Sequence, residues 1–157
     1  MINGYIPAAR FLPFLSWTDV AALPDKSNTV IVLPTGAIEQ HGPHLPCSVD
    51  SVISSGVAGH ALARLPATIP AYAIPPIVYG KSEEHLHFPG TLTLSGDTLL
   101  HTLLEIAESL YRAGFRKLLM INGHGGQPQI LQIACREMRL RHGDFIAIPH
   151  DVFNVPN

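Results

Sequence analysis

The distribution of apolar and polar positions divides the chain into short alternating elements. Thr29–Leu33 is a continuous apolar run rich in β-branched residues, the pattern of a strand buried on both faces of a parallel sheet. Beyond it, Val52, Ile53, Val57, Ala61 and Leu65 recur at helical spacing. They predict a helix from Asp50 to Leu65 with those residues inward and Pro66 as its stop. Ala71–Val78 predicts a second strand, although Pro75 and Pro76 confine part of it to an edge or a bulge. Leu100, Leu103, Leu104, Ala107 and Tyr111 trace one helical face, with Ser95 or Asp97 as N-cap and Gly114 as stop. Lys117–Ile121 is another buried-strand run, followed by a helix with Ile130, Ile133, Ala134 and Met138 on one face and Gly143 at its end. Phe145–Pro149 is the last strand candidate. Strands alternating with helices through short loops predict an α/β fold with a mostly parallel sheet and right-handed crossovers.

At 157 residues the chain reads as a single domain over residues 1–157, with no repeat, linker or low-complexity segment. Charged residues are only 14%, against a usual ~25%, too few to cover the surface, so a partner subunit is expected. The net charge of -2 and the lack of a basic stripe argue against nucleic acid as partner. Arg136, Arg139 and Arg141 read as the wet face of a helix. No run of 18 apolar residues exists, so no membrane span is expected. Met1–Trp17 lacks the form of a secretory signal, and Cys47 and Cys135 read as free thiols, which together predict a cytoplasmic protein.

Nine histidines against ten Lys plus Arg point to chemistry, since imidazole is the commonest metal ligand. Ligands of α/β sheets bind beyond the carboxyl ends of the strands. The loop Pro34–Asp50 follows the first predicted strand and holds Glu39, His41, His44 and Asp50. Glu39 and His41, two apart in an extended segment, face one spot, and Asp50 returns to it after a Pro-bounded bend. Asn122–Gly126 puts His124 at the tip of another strand. Two carboxylates and two imidazoles form a donor set for Zn²⁺, Mn²⁺ or Fe²⁺, and the two oxygens of Asp50 could bridge a metal pair. Taken singly, each histidine is better explained by a structural hydrogen bond, and the convergence of four residues is what favours a metal. The glycines of Gly123–Gly126 could be turn formers or a phosphate cradle, but they match neither GxGxxG nor a P-loop.

Leu33-Pro-Thr-Gly-Ala-Ile-Glu-Gln-His-Gly-Pro-His-Leu-Pro46, followed by Asp50, resembles the first signature of the creatininase (creatinine amidohydrolase) family. Tyr79–Thr91 and Asn122–Gly126 resemble its second and third, in the expected order. The resemblance implies a three-layer αβα fold, often a hexamer, and two divalent metals, Zn²⁺ before Mn²⁺ or Fe²⁺. It also implies hydrolysis of a small-molecule cyclic amide, a formamide or a peptide-like bond by a metal-activated water. It places Glu39, His41, Asp50 and His124 at metal-ligand positions, Asp50 bridging, with Glu39 and His85 as the residues nearest the chemistry.

Two departures qualify that expectation. Creatininases proper carry a carboxylate where this chain has Gly126; relatives with the Gly-Gly form take it from a later HAG-type segment, and the sequence ends at Asn157 before one. A fragment or shortened homologue lacking the C-terminal part of the fold is therefore expected, binding one metal well and a second weakly. Gly126 also disfavours creatinine itself against a formamide or other amide. His44 is expected to support His41, Glu83 and Glu84 to form a solvated loop face, and His60 and His101 to be structural. His150 and Asp151 could cap or lend a stray ligand, and Gln127 stands where the family usually has Asn. Two other function classes stay open: a catalytically inactive metal-binding homologue serving as a partner subunit, and a phosphate-binding module built on the glycine turn.

Overall fold

A computed structural model describes residues 2–154. In chain order the elements are α1 (Trp17–Ala22), β1 (Val30–Thr35), α2 (Val49–Arg64), β2 (Ala71–Ala73), α3 (Gly96–Arg112), β3 (Lys117–Asn122), α4 (Pro128–Arg141) and β4 (Ile146–Asp151), with four short 3-10 turns between or beside them. The four strands form one parallel sheet in the order β2-β1-β3-β4. Helix α2 packs on one face, and α3 with α4 on the other, which gives the expected three layers.

Strand alternation explains both cores. Ile31, Leu33, Leu118, Met120 and Ala147 point to the α3–α4 side, where Leu99, Leu103, Ala107, Leu131, Ala134, Cys135 and Met138 close over them. Each leucine so buried contributes about 1.5–3 kcal/mol. Val32, Ala71, Ala73 and Ile121 point the other way, against Ala58 and Leu62 of α2 and Phe11 of the N-terminal segment. Cys135 lies in the first core, where burial pushes its thiol up to about 11 and leaves it inert. The N-cap of α3 is Ser95, whose hydroxyl accepts from the Thr98 amide at 3.2 Å.

Three local expectations are corrected. The face of α2 marked by Val52, Val57 and Ala61 is exposed, Val52 by 43% and Val57 by 41%. Ser51, Ser54, Ser55, Ala58, Gly59 and Leu62 are buried instead, and the small side chains among them let the first turns of the helix approach the sheet closely. Strand β2 stops at Ala73, where Pro75 and Pro76 remove amide donors, and the chain returns to β1 only at the single Thr35–Ile77 bridge. On α4, Ile133 is half exposed, and Leu131, Ala134, Cys135 and Met138 form the inner face. The short helix α1, closed by a Ser16–Asp19 capping box, lies in a stretch where the hydrophobic pattern marks no element.

The fold places the site. From β1 the chain crosses to β2 on one side, then returns past β1 to lay β3 on the other. The loops leaving β1 and β3 diverge at that switch, with Thr35 and Asn122 in register at the two strand ends.

Candidate metal centre

Three of the four expected donors are each positioned by a different local device. Glu39 is fixed by the 3.0 Å hydrogen bond from its amide to the Cys47 carbonyl, which closes the loop after β1, and by the neighbouring Ile38–Leu92 bridge. Asp50 stands in the first turn of α2, where the helix dipole favours a negative charge. His124 follows β3 directly, and Asn122 holds its turn. That buried amide donates to the His124 carbonyl at 2.7 Å and to Asp151 Oδ1 at 2.7 Å, and accepts from the His124 amide at 3.2 Å. Gln127, also buried, bonds the Gly36 carbonyl, Asn122 Oδ1 and the Lys81 amide, so one side chain ties the three signature segments together. In the sequence Gln127 is only a replacement for the family's Asn, and Asp151 a cap or stray ligand. Their network roles depend on contacts between distant segments, which spacing alone does not show.

The side chains converge. Asp50 Oδ1 lies 2.8 Å from His41 Nε2, and Oδ2 lies 2.8 Å from His124 Nδ1. Glu39 Oε1 lies 3.4 Å from His124 Nδ1, 3.8 Å from His85 Nε2 and 4.0 Å from His41 Nε2. Two donors about 2.1 Å from one ion at a near-tetrahedral angle stand about 3–3.5 Å apart, so these separations suit a shared cation.

The tautomers follow from the outer partners. His41 donates its Nδ1–H to the Glu39 carbonyl at 3.2 Å, and His124 donates its Nε2–H to the Lys81 carbonyl at 2.8 Å. A carbonyl only accepts, so in the neutral rings the nitrogen lone pairs face the Asp50 oxygens. Lone pair against carboxylate at 2.8 Å is repulsive unless a positive charge, a proton or a metal ion, lies between. Glu39 Oε2 and Asp50 Oδ2 are buried without a hydrogen-bond partner. Desolvation of a carboxylate is costly, and a cation satisfies both at once. The donor set therefore fits a divalent metal.

Burial pushes the His124 pKa down, but the Asp50 bond, the Lys81 carbonyl and the Glu39 and Asp50 charges outweigh it, and the ring titrates above its ordinary value. Without metal, protonated His124 stabilises the fold fully below the unfolded value near 6.5, and that contribution disappears as pH rises through the raised folded value. Metal binding must displace the same proton. Apparent Zn²⁺ affinity is thus expected to fall, and proton release per ion to rise, on going from about pH 8 to pH 6; calorimetry in buffers of different ionisation enthalpy measures both. Affinity independent of pH across that range would contradict the assignment.

The remaining expectations divide. His85 is brought to the site, its Nδ1 3.2 Å from the Gln40 amide nitrogen. His44 is exposed and leaves the support of His41 to the Glu39 carbonyl. His60 and His101 face solvent on their helices, and His150 is exposed on β4. Glu83 is exposed as expected, whereas the Glu84 carboxylate, also on the surface, reaches Glu39 and His124.

The family model described as creatininase, creatinine amidohydrolase, matches residues 13–156. A mycofactocin precursor peptide peptidase of Mycolicibacterium smegmatis is 36% identical over 125 residues, covering 78% of this chain and 50% of that protein. Creatinine amidohydrolase of Pseudomonas putida is 34% identical over 138 residues, covering 82% and 52%. Among solved structures, a mutant creatininase of Zn-Zn type superposes with a TM-score of 0.79 at 32% identity, over 92% of this chain and 58% of that one. A manganese creatininase gives 0.76 at 31%, over 90% and 58%. The chain spans about half the length of the curated relatives it matches. Fold, signature loops and a match over nearly every residue agree: the chain belongs to the creatininase family.

Proposed function

We propose that this chain carries the metal-binding half of a hydrolase acting on a C–N bond of a small amide, a formamide or a peptide-like substrate. One observation carries the reading: His41 and His124 each give one N–H to a backbone carbonyl and turn the other nitrogen onto opposite oxygens of the same buried carboxylate, Asp50. That is the arrangement of two ligands with a bridging carboxylate. Glu39, His41, Asp50 and His124 would hold two divalent ions, Zn²⁺ before Mn²⁺ or Fe²⁺; relatives of both Zn-Zn and Mn type support a divalent metal. Bound there, the ions would supply a water activated near neutral pH and polarisation of the amide carbonyl.

The chain's own residues do the rest. Burial of Glu39 and Asp50 keeps bulk water from screening their charges. His85 is partly open to solvent and lies 3.8 Å from Glu39, placed to hand a proton to the leaving nitrogen at the rim, while Gln40 fixes its ring. A homo-oligomer is part of the same reading. Ile146 and Ile148 on β4 are half exposed, and so sparsely charged a surface fits a covered face. Among the described residues no helix is long and apolar enough to cross a membrane, and a cytoplasmic setting is proposed with the rest.

The test is hydrolysis of a panel of formamides, lactams and short C-terminal peptides by Zn²⁺- or Mn²⁺-loaded protein, before and after chelation. Activity on at least one class that chelation removes and metal restores is expected. His85→Ala should lower kcat by about 10²–10⁴-fold with metal content unchanged, the range of general acid–base catalysis. Hydrolysis untouched by chelation would refute the reading. Full metal loading without turnover of any class would favour the catalytically inactive homologue.

A further inference from the structure

The side chain of Glu84 is on the surface, yet its carboxylate turns inward over the third signature loop. Two groups of donors lie close enough to hold an ion: Glu39, His41 and Asp50, and separately Glu39, Glu84 and His124, the atoms of each within 4.8 Å of one another. Glu39 belongs to both. Its Oε2 is buried with no partner, so it needs a positive charge that His41 and Asp50 alone do not supply.

Gly126 explains how Glu84 gets there. A Cβ at this position would overlap the Glu84 Oε1 atom, His124 Nε2 and the Lys81 carbonyl. The missing side chain is thus a space that the Glu84 carboxylate fills from another loop. The two oxygens differ in surroundings: Oε2 lies 3.6 Å from Lys81 Nζ, while Oε1 lies on the Gly126 side, and the carboxylate comes within 4.8 Å of donor atoms of Glu39 and His124. The Ser82 carbonyl accepts from the His85 amide in the turn Glu83–His85, which presents Glu84 and His85 together.

Building on the two-ion site proposed above, we propose that Glu84 is a ligand of the second metal, reaching the site through the space that glycine leaves at 126. The second ion would then be held by Glu39, Glu84, His124 and the bridging Asp50, a donor set drawn wholly from this chain. The first would keep Glu39, His41 and Asp50. Because Glu84 is partly exposed and shares its charge with Lys81, the second ion binds more weakly than the first.

Zn²⁺ titration against a chromophoric chelator separates the two ions and needs no substrate. The wild-type chain is expected to bind two ions of unequal affinity. Glu84→Gln should leave the tight one within about threefold and weaken the other by at least about 100-fold, beyond the 10–100-fold cost of losing an outer partner. Glu83→Gln, which removes the neighbouring carboxylate and its Lys81 pair, should change neither ion by more than about threefold. The assignment to Glu84 is overturned if the second ion survives Glu84→Gln with a smaller loss, or if Glu83→Gln has the same effect. A wild-type chain that binds no Zn²⁺ fails at the metal centre itself, a different result from two ions indifferent to Glu84.

Discussion

Glu39→Gln is expected to remove both bound ions and any amide hydrolysis together. The substitution preserves shape and removes the charge from a residue only 6% exposed. Glu39 Oε1 lies within 4.0 Å of nitrogens on His41, His85 and His124, and the residue belongs to both donor groups, so neither ion keeps its set. Metal activation supplies several kcal/mol, and about 1.4 kcal/mol is a factor of ten in rate, so a loss of about 10³-fold or more is expected. Metal analysis by mass spectrometry after dialysis, alongside the hydrolysis assay, measures both effects. If the protein is an inactive metal-binding homologue, the same substitution removes the ions and lowers thermal stability, with no hydrolysis to lose. Retention of two ions by Glu39→Gln would remove Glu39 from the centre.

Gly123→Ala tests the scaffold rather than the ligands. The Cα of Gly123 sits against α2, where an added Cβ would overlap the Asp50 carbonyl and come within 3.1 Å of Ser54 Cβ and the Ser54 amide. Backbone cannot swing away as a flexible side chain can, so α2 must retreat from the end of β3. Overpacking of this kind costs about 1–3 kcal/mol, and the upper half of that range is expected here. The retreat also carries Asp50 away from His124, now 2.8 Å distant. Denaturant unfolding should show the loss of stability, and Zn²⁺ titration a weakening of both ions, since Asp50 faces both histidines. Gly125→Ala, where a Cβ meets nothing within 4 Å, is the control and should leave the packing intact. Equal stability of Gly123→Ala and the wild type would mean that the helix does not depend on this close approach.

Some of this architecture is written locally. Continuous β-branched or aliphatic runs at Thr29–Leu33 and Lys117–Ile121 form the two central strands because a strand covered on both faces has no polar side. The stripe Leu103, Leu104 and Ala107 forms the inner face of α3 for the same reason of period. Helix α2 defeated that logic. Val52, Val57 and Ala61 form the outer face, and Ser51, Ser54 and Ser55 are buried with Ala58 and Leu62. The requirement there is closeness, since Asp50 must reach from the first helical turn to histidines on two other loops, and small side chains permit that approach.

The site shows the same division. Glu39, His41, Asp50 and His124 were legible because carboxylates and imidazoles sit in loops directly after buried strands, and the structure brings all four within reach of one another. Nothing local marks Asn122, Gln127 and Asp151 as the framework, and by sequence Glu84 is a surface charge. Their partners lie far away in sequence: Gln127 bonds Gly36, and Asn122 bonds Asp151. An amide reads as an ordinary polar residue until the chain folds and shows which buried carbonyls it satisfies.

By itself, the sequence determined the order of strands and helices, the parallel sheet and the four side chains proposed as donors, since these follow from local period and from chemistry placed next to strand ends. Only the tertiary structure decided which face of α2 turns inward, which nitrogen of each histidine faces Asp50, and that Glu84 lies over Gly126. Those are matters of distance between segments up to about ninety residues apart (Gly36 and Gln127, for example), set by the sheet register that brings Thr35 beside Asn122.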